Sequence, residues 1–94
     1  MAQTKCNAQV TVSSPLGLHG RPAAMLVQLA SKYRSKISLC RPEAPDEPAD
    51  CRSILSLLVL AATQGTDLLL CAEGEDAPEA VAAITEFFSQ SFQE

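Results

Sequence analysis

The run Lys36-Ile37-Ser38-Leu39-Cys40-Arg41-Pro42-Glu43-Ala44-Pro45-Asp46-Glu47-Pro48-Ala49-Asp50-Cys51 decides the fold. Its first part, Lys36 to Arg41, reads as a strand. Prolines at 42, 45 and 48 then exclude a helix, and any central strand, over Arg41 to Pro48. The stretch Glu47 to Cys51 is left as a short edge strand. Two strands therefore follow one another with no helix between them. A chain that otherwise alternates strands and helices but contains one such step calls for a mixed or antiparallel sheet with its helices on one face.

The flanking sequence supplies the other elements. From Lys5 to Ser13, Cys6, Ala8, Val10 and Val12 alternate with Asn7, Gln9 and Thr11, the pattern of a half-buried strand. Ser14-Pro15-Leu16-Gly17 reads as a turn. A helix is expected from about Gly20 to Tyr33, with Leu26, Leu29, Ala30 and Tyr33 at helical spacing and Pro22 tolerated in the first turn. Lys32 and Arg34 suit the negative end of its dipole. Beyond the proline-rich run, Ser53 to Ala62 reads as a compact helix with Ser53 or Asp50 as N-cap. Gln64-Gly65-Thr66 turns into a strand, Asp67 to Ala72, whose apolar middle Leu68-Leu69-Leu70 suggests an interior position. Gly74-Glu75-Asp76 leads to a last helix. Asp76 and Glu79 form its capping box, and Ala80, Ile84, Phe87, Phe88 and Ser91 mark its inner face. The order is β-α-β-β-α-β-α. The reading is an α+β open-faced sandwich: a four-stranded, mainly antiparallel sheet with three helices on one face. Right-handed crossovers favour the interlocked split arrangement.

Ninety-four residues, 1–94, suffice for a single domain. The apolar fraction of 47% against 19% charged describes a foldable globular chain. The net charge of −4 argues against a nucleic-acid binder. All seven basic residues lie between Lys5 and Arg52, so the N-terminal half is less negative than the total suggests. Cys6, Cys40, Cys51 and Cys71 lack paired spacing, so no metal site is expected. With no apolar secretory segment at the N-terminus they read as four reduced thiols in a cytoplasmic protein. The longest apolar run, Ile54 to Ala62, is too short to enter and cross a bilayer.

His19 is the only histidine, and it stands at the expected loop-to-helix junction. An imidazole there has unpaired backbone N–H groups nearby and the positive end of a helix dipole behind it. Near its ordinary pKa it is substantially neutral at pH 7 and can attack phosphorus without a separate base. The N–H groups of Gly20 and Arg21, and the Arg21 side chain, are placed to receive the added charge. Nothing local supports a hydrolase, a glycosidase carboxylate pair or a nucleotide-binding loop. On this chemistry alone, a phosphoryl acceptor and an incidental surface histidine remain close alternatives.

A resemblance bears on that choice. Gly17-Leu18-His19-Gly20-Arg21-Pro22-Ala23-Ala24 resembles the active-site signature of HPr, the histidine phosphocarrier of the phosphoenolpyruvate-dependent phosphotransferase system. Arg52-Ser53-Ile54-Leu55 with Leu57-Leu58-Val59-Leu60 is similar to the family's second helix. Thr63-Gln64-Gly65-Thr66 and Ala72-Glu73-Gly74-Glu75-Asp76-Ala77 match at the corresponding distances. The resemblance implies the HPr-like fold, the same order as read above. It implies that His19 accepts a phosphoryl group on Nδ1 from phosphorylated enzyme I and passes it to a IIA-type domain, with Arg21 holding the phosphate. It implies a covalent carrier that needs no cofactor and works as a monomer. Ser53 matches the serine modified by HPr kinase/phosphorylase in some bacteria; a plain N-cap is the equal alternative. Leu18, Ile54 and Leu55 are expected as exposed partner contacts, and Leu58 as core. A rival role is a regulatory docking protein that transfers nothing and is controlled at Ser53. The chain departs from the family pattern at Gly20, where Ala or Thr is usual, and at Leu16, where a polar residue often orients the imidazole. Its proline-rich loop is also longer than common. Ser53-Ile54-Leu55-Ser56-Leu57-Leu58 and Phe88-Ser89-Gln90-Ser91-Phe92 are similar to NPr, the nitrogen-branch relative, so the sugar and nitrogen branches both stay open.

Overall fold

The alternation along the N-terminal strand carries through into a sheet with one wet face and one dry face. The computed structural model describes residues 4–15, 17, 18 and 20–90. The strands are β1 (Thr4–Thr11), β2 (Lys36–Cys40), β3 (Ala49–Asp50) and β4 (Asp67–Gly74). The helices are α1 (Arg21–Ala30), α2 (Ile54–Leu60) and α3 (Ala77–Ser89). Ser91 and Phe92, expected near the end of the last helix, lie outside the described residues.

The strand order is β1-β4-β2-β3, and every pairing is antiparallel. Because β1 and β2 both run antiparallel to β4, they are parallel to each other, with β4 filling the gap their crossover leaves. This is the interlocked split arrangement expected from the one strand-to-strand step. Leu70 of β4 pairs with Ala8 on one side and Leu39 on the other, and Ala72 with Cys6 and Ile37. These rows form the dry face. Asn7, Gln9 and Thr11 point to water. β4 is interior in the sheet, as its leucines suggested, yet it is buried on one face only. Leu68 and Leu70 are fully buried, while Leu69 between them is exposed.

β3 is shorter than the expected Glu47 to Cys51. Pro48 has no N–H to give to the ladder, so only Ser38 with Asp50 and Leu39 with Ala49 pair. Cys51 N–H still donates to Ile37 O at 3.0 Å.

Leu26 of α1, Leu57 of α2 and Ile84 of α3 descend onto Ile37, Leu39, Leu68 and Leu70, making one core. Phe87 and Phe88 close one end with rings 5.5 Å apart, edge to face. α1 stops at Ala30 rather than Tyr33. Ser31 Oγ donates back to Val27 O at 2.7 Å, and Lys32 and Tyr33 N–H close tight turns onto Leu29 and Ala30. Lys32 and Arg34 therefore lie beyond the helix and not in its last turn.

The capping box expected at Asp76 and Glu79 does not form, since Asp76 makes no side-chain cap bond to α3. Its carboxylate instead holds the connection between α1 and β2. It accepts Arg34 N–H at 2.8 Å, Ser35 N–H at 2.9 Å and the Ser35 hydroxyl at 2.5 Å. Three donors outweigh a single cap bond, and they hold the Asp76 carboxyl below its usual range, the Ser35 hydroxyl foremost.

Candidate functional site

The segment that precedes α1 is pinned on both sides. Beyond β1, Val12 N–H donates to Thr66 O at 2.9 Å and Gly65 N–H to Val12 O at 2.8 Å. The Ser13 hydroxyl donates to Gln90 O at 2.6 Å, tying the segment to the end of α3. Gly17 N–H closes a turn onto Ser14 O, and Leu18 N–H donates to Ala62 O at 2.8 Å just past α2. Gly17 has φ +80, and a Cβ there would stand 2.6 Å from that same Ala62 oxygen. Only glycine permits both the turn and the close approach.

Leu16 and His19 lie outside the described residues, so the expectations placed on them rest on their neighbours. Leu18 is a correction. Expected as an exposed contact, it is 2% exposed and belongs to the core, bordering the same small cavity as Val12, Pro22, Phe87 and Phe88. The Leu18–Ala62 bond draws the backbone inward at this point and carries the side chain with it. Ser14 Oγ is buried in the lining of that cavity without a hydrogen-bond partner.

Gly20 is the N-cap of α1, at φ 62 and ψ −131. It offers no side-chain cap, and the first turn holds no acid. The N-terminal N–H groups and the positive end of the dipole are thus left uncommitted by side chains, and Ala24 N–H makes the first helical bond to Gly20 O. Arg21 is exposed, and its guanidinium is bonded to no other described residue.

Ser53, and not Asp50, caps α2: its Oγ accepts Ser56 N–H at 3.1 Å. The Asp50 carboxylate closes the preceding turn by accepting Arg52 N–H at 2.9 Å. Ile54 and Leu55 are exposed, as expected of contact residues. Leu58 is a second correction: it is 43% exposed, and Leu57 alone enters the core from this helix. Positions two residues either side of Leu57 fall on the opposite helix face, which places Leu55 and Val59 outermost. The phase relative to Leu57 was the signal that would have marked Val59 as exposed. Met25 on α1 is also an exposed large apolar residue, and the sequence carried no comparable signal for it. α2 ends with Ala61 in the left-handed region, at φ 52 and ψ 41. The Arg41 guanidinium donates to Leu60 O at 3.0 Å and to Ala61 O at 3.3 Å.

The cysteines are all free thiols. Burial, and then the nearby Asp50 charge, push the Cys51 thiol up to about 12, and burial with Cys71 raises Cys40. Neither is an activated nucleophile. Among the described residues no group of three His, Cys, Asp or Glu side chains is placed to hold a metal. No helix among them is long and apolar enough to cross a membrane.

Comparison with known proteins accounts for this arrangement. Residues 6–90 match the family model described as the PTS HPr component phosphorylation site. The chain is 37% identical over 86 residues to the phosphocarrier protein HPr of Xylella fastidiosa, covering 92% of this chain and 93% of that one. It is 36% identical over 91 residues to the phosphocarrier protein NPr of Shewanella violacea, covering 97% of each. Its fold matches the crystal structure of HPr from Bacillus anthracis with a TM-score of 0.82 at 29% identity, covering 90% of this chain and 98% of that one. This kinship supports a phosphocarrier role in the phosphotransferase system and implies protein partners of that system, such as enzyme I and IIA domains. The chain belongs to the HPr family.

Proposed function

We propose that His19 accepts a phosphoryl group on Nδ1 from phosphorylated enzyme I and passes it to a IIA-type domain. The observation that carries the reading is the helix start that directly follows His19. It is glycine-capped, free of acids and of side-chain caps, and bears the Arg21 guanidinium, which is bonded to no other described residue. In each transfer the neutral imidazole nitrogen attacks phosphorus, a new N–P bond forms, and the N–P bond to the donor histidine breaks. The electron pair of that bond returns to the donor ring. The Arg21 guanidinium and the N–H groups of Gly20 and Arg21 offset the charge of the phosphoryl oxygens during passage. Because the group must leave again, modest stabilisation at an exposed helix end suits a carrier better than a deep anion pocket.

Ile54 and Leu55, joined by Leu58 and Met25, form the apolar face on which enzyme I and the IIA domain dock in turn. Leu18 is withdrawn from that face into the core. The four free thiols favour a reducing compartment, the cytoplasm. A second reading concerns Ser53, which sits at the head of the exposed α2 face. Phosphate added there by HPr kinase/phosphorylase would place charge beside Ile54 and Leu55 and weaken docking.

Incubation with phosphoenolpyruvate and enzyme I, followed by intact mass measurement, tests the main reading. It predicts an acid-labile phosphate adduct that His19→Ala lacks. No adduct under conditions that label another HPr overturns it. An acid-stable adduct made with ATP and the kinase, and absent from Ser53→Ala, tests the second.

A further inference from the structure

The proline-rich connection builds a surface of its own. Leu55 and Val59, 69% and 77% exposed, line the α2 side of a groove of about 410 Å³. Arg41, Ala44, Glu47 and Pro48 of the connection make its other wall. That wall is preformed. Ala44 N–H bonds to Arg41 O at 2.9 Å and Glu47 N–H to Ala44 O at 3.1 Å, making two consecutive turns among three prolines. A ligand entering the groove therefore has little loop entropy to remove.

The groove's own charged lining is Glu47 and Arg41, and the connection as a whole carries more acid than base. Glu43, Asp46 and Glu47 are all exposed on the connection. Its one base, Arg41, is turned inward onto the carbonyls of Leu60 and Ala61. An apolar groove beside a connection with three exposed acids and one inward-turned base complements an apolar stripe edged by bases, and it disfavours nucleic acid and anionic lipid alike.

We propose that this groove docks an amphipathic helix of a protein partner, with leucine-like residues on the stripe and lysines or arginines along one edge. The inference does not depend on the chemistry of His19. Since Leu55 also borders Ile54, an occupant of the groove lies against the exchange face and competes for its rim.

The test is a titration of the nitrogen-labelled full chain, followed by NMR, with a synthetic helical peptide. The peptide carries Leu and Ile at i, i+3, i+4 and i+7 with Lys and Arg alongside. A second peptide has Glu in place of each base. The expected result is binding of the basic peptide about tenfold tighter than the acidic one, weakening as salt is added. Amide shifts should map to Ala44, Asp46, Glu47, Ala49, Leu55, Val59 and Leu60. Asp46→Lys with Glu47→Lys should remove the preference, and Val59→Glu should abolish the shifts; both act on exposed positions, with the rest of the spectrum reporting an intact fold. Equal binding of the two peptides overturns the proposal, as do shifts confined to Met25, Ile54 and Leu58. Either failure leaves the phosphoryl adduct experiment untouched.

Discussion

Replacing Gly17 by alanine should loosen the site segment from α2, and the cost can be built from two separate effects. The first is conformational. At φ +80 an L-residue pays about 1–2 kcal/mol that glycine does not. The second is contact. The new Cβ would lie 2.6 Å from Ala62 O, and relief requires the carbonyl to move away from Leu18 N–H. Losing that hydrogen bond costs about 0.5–1.5 kcal/mol net, and partial displacement of buried Leu18 adds to it. A total of about 2–4 kcal/mol is expected. Gly65 provides the control. It has φ +88, and a Cβ there would meet nothing within 4 Å, so Gly65→Ala carries the conformational part alone. Urea unfolding of both variants gives the comparison, with the slope m held unchanged as the sign that only stability moved. Equal losses for the two variants, or a loss below about 1 kcal/mol for Gly17→Ala, would refute the claim that the Leu18–Ala62 contact holds the segment in place.

Three further outcomes follow from neighbouring features. Ala61→Gly should stabilise the protein by about 0.5–1 kcal/mol in the same urea assay, because Ala61 occupies the left-handed region at φ 52. Leu57→Ala should cost about 2–5 kcal/mol while Val59→Ala stays within about 0.5, since Leu57 is fully buried and Val59 is 77% exposed. Asp76 has its folded pKa lowered, so its contribution is present above the unfolded carboxyl pKa and is lost as pH falls through the folded value. Stability measured from pH 7 down to pH 2 should fall less steeply for Asp76→Asn, which starts weaker at neutral pH; identical slopes would remove Asp76 from the acid response.

The sheet and its connections were legible because they rest on short-range signals. Alternation along β1, three prolines after β2, and helical spacing of Leu26, Ile84 and the phenylalanines each act within a few residues. The misreadings arose where a distant partner decides. Asp76 looked like a helix cap, and donors from the α1–β2 connection captured its carboxylate instead. Leu18 looked like a loop contact until Ala62 O drew its backbone inward. Leu58 lay in an apolar run whose burial depends on helix phase, and only packing against the sheet selected Leu57. At the site, the chemistry of a histidine before a helix start was readable from sequence. The support for it was not, because the Leu18–Ala62 bond and the capping of α2 by Arg41 bring together residues far apart in the chain.

The central claim is that the chain carries phosphorus on one ring nitrogen beside a helix start capped by glycine alone. The most direct measurement is nitrogen and phosphorus NMR of the protein after reaction with phosphoenolpyruvate and enzyme I. The account predicts a single phosphorus resonance coupled to Nδ1 of His19, transferable to a IIA domain and formed more slowly in Arg21→Ala. Phosphorus on any other residue, or an unmodified His19 beside an active enzyme I, would contradict it.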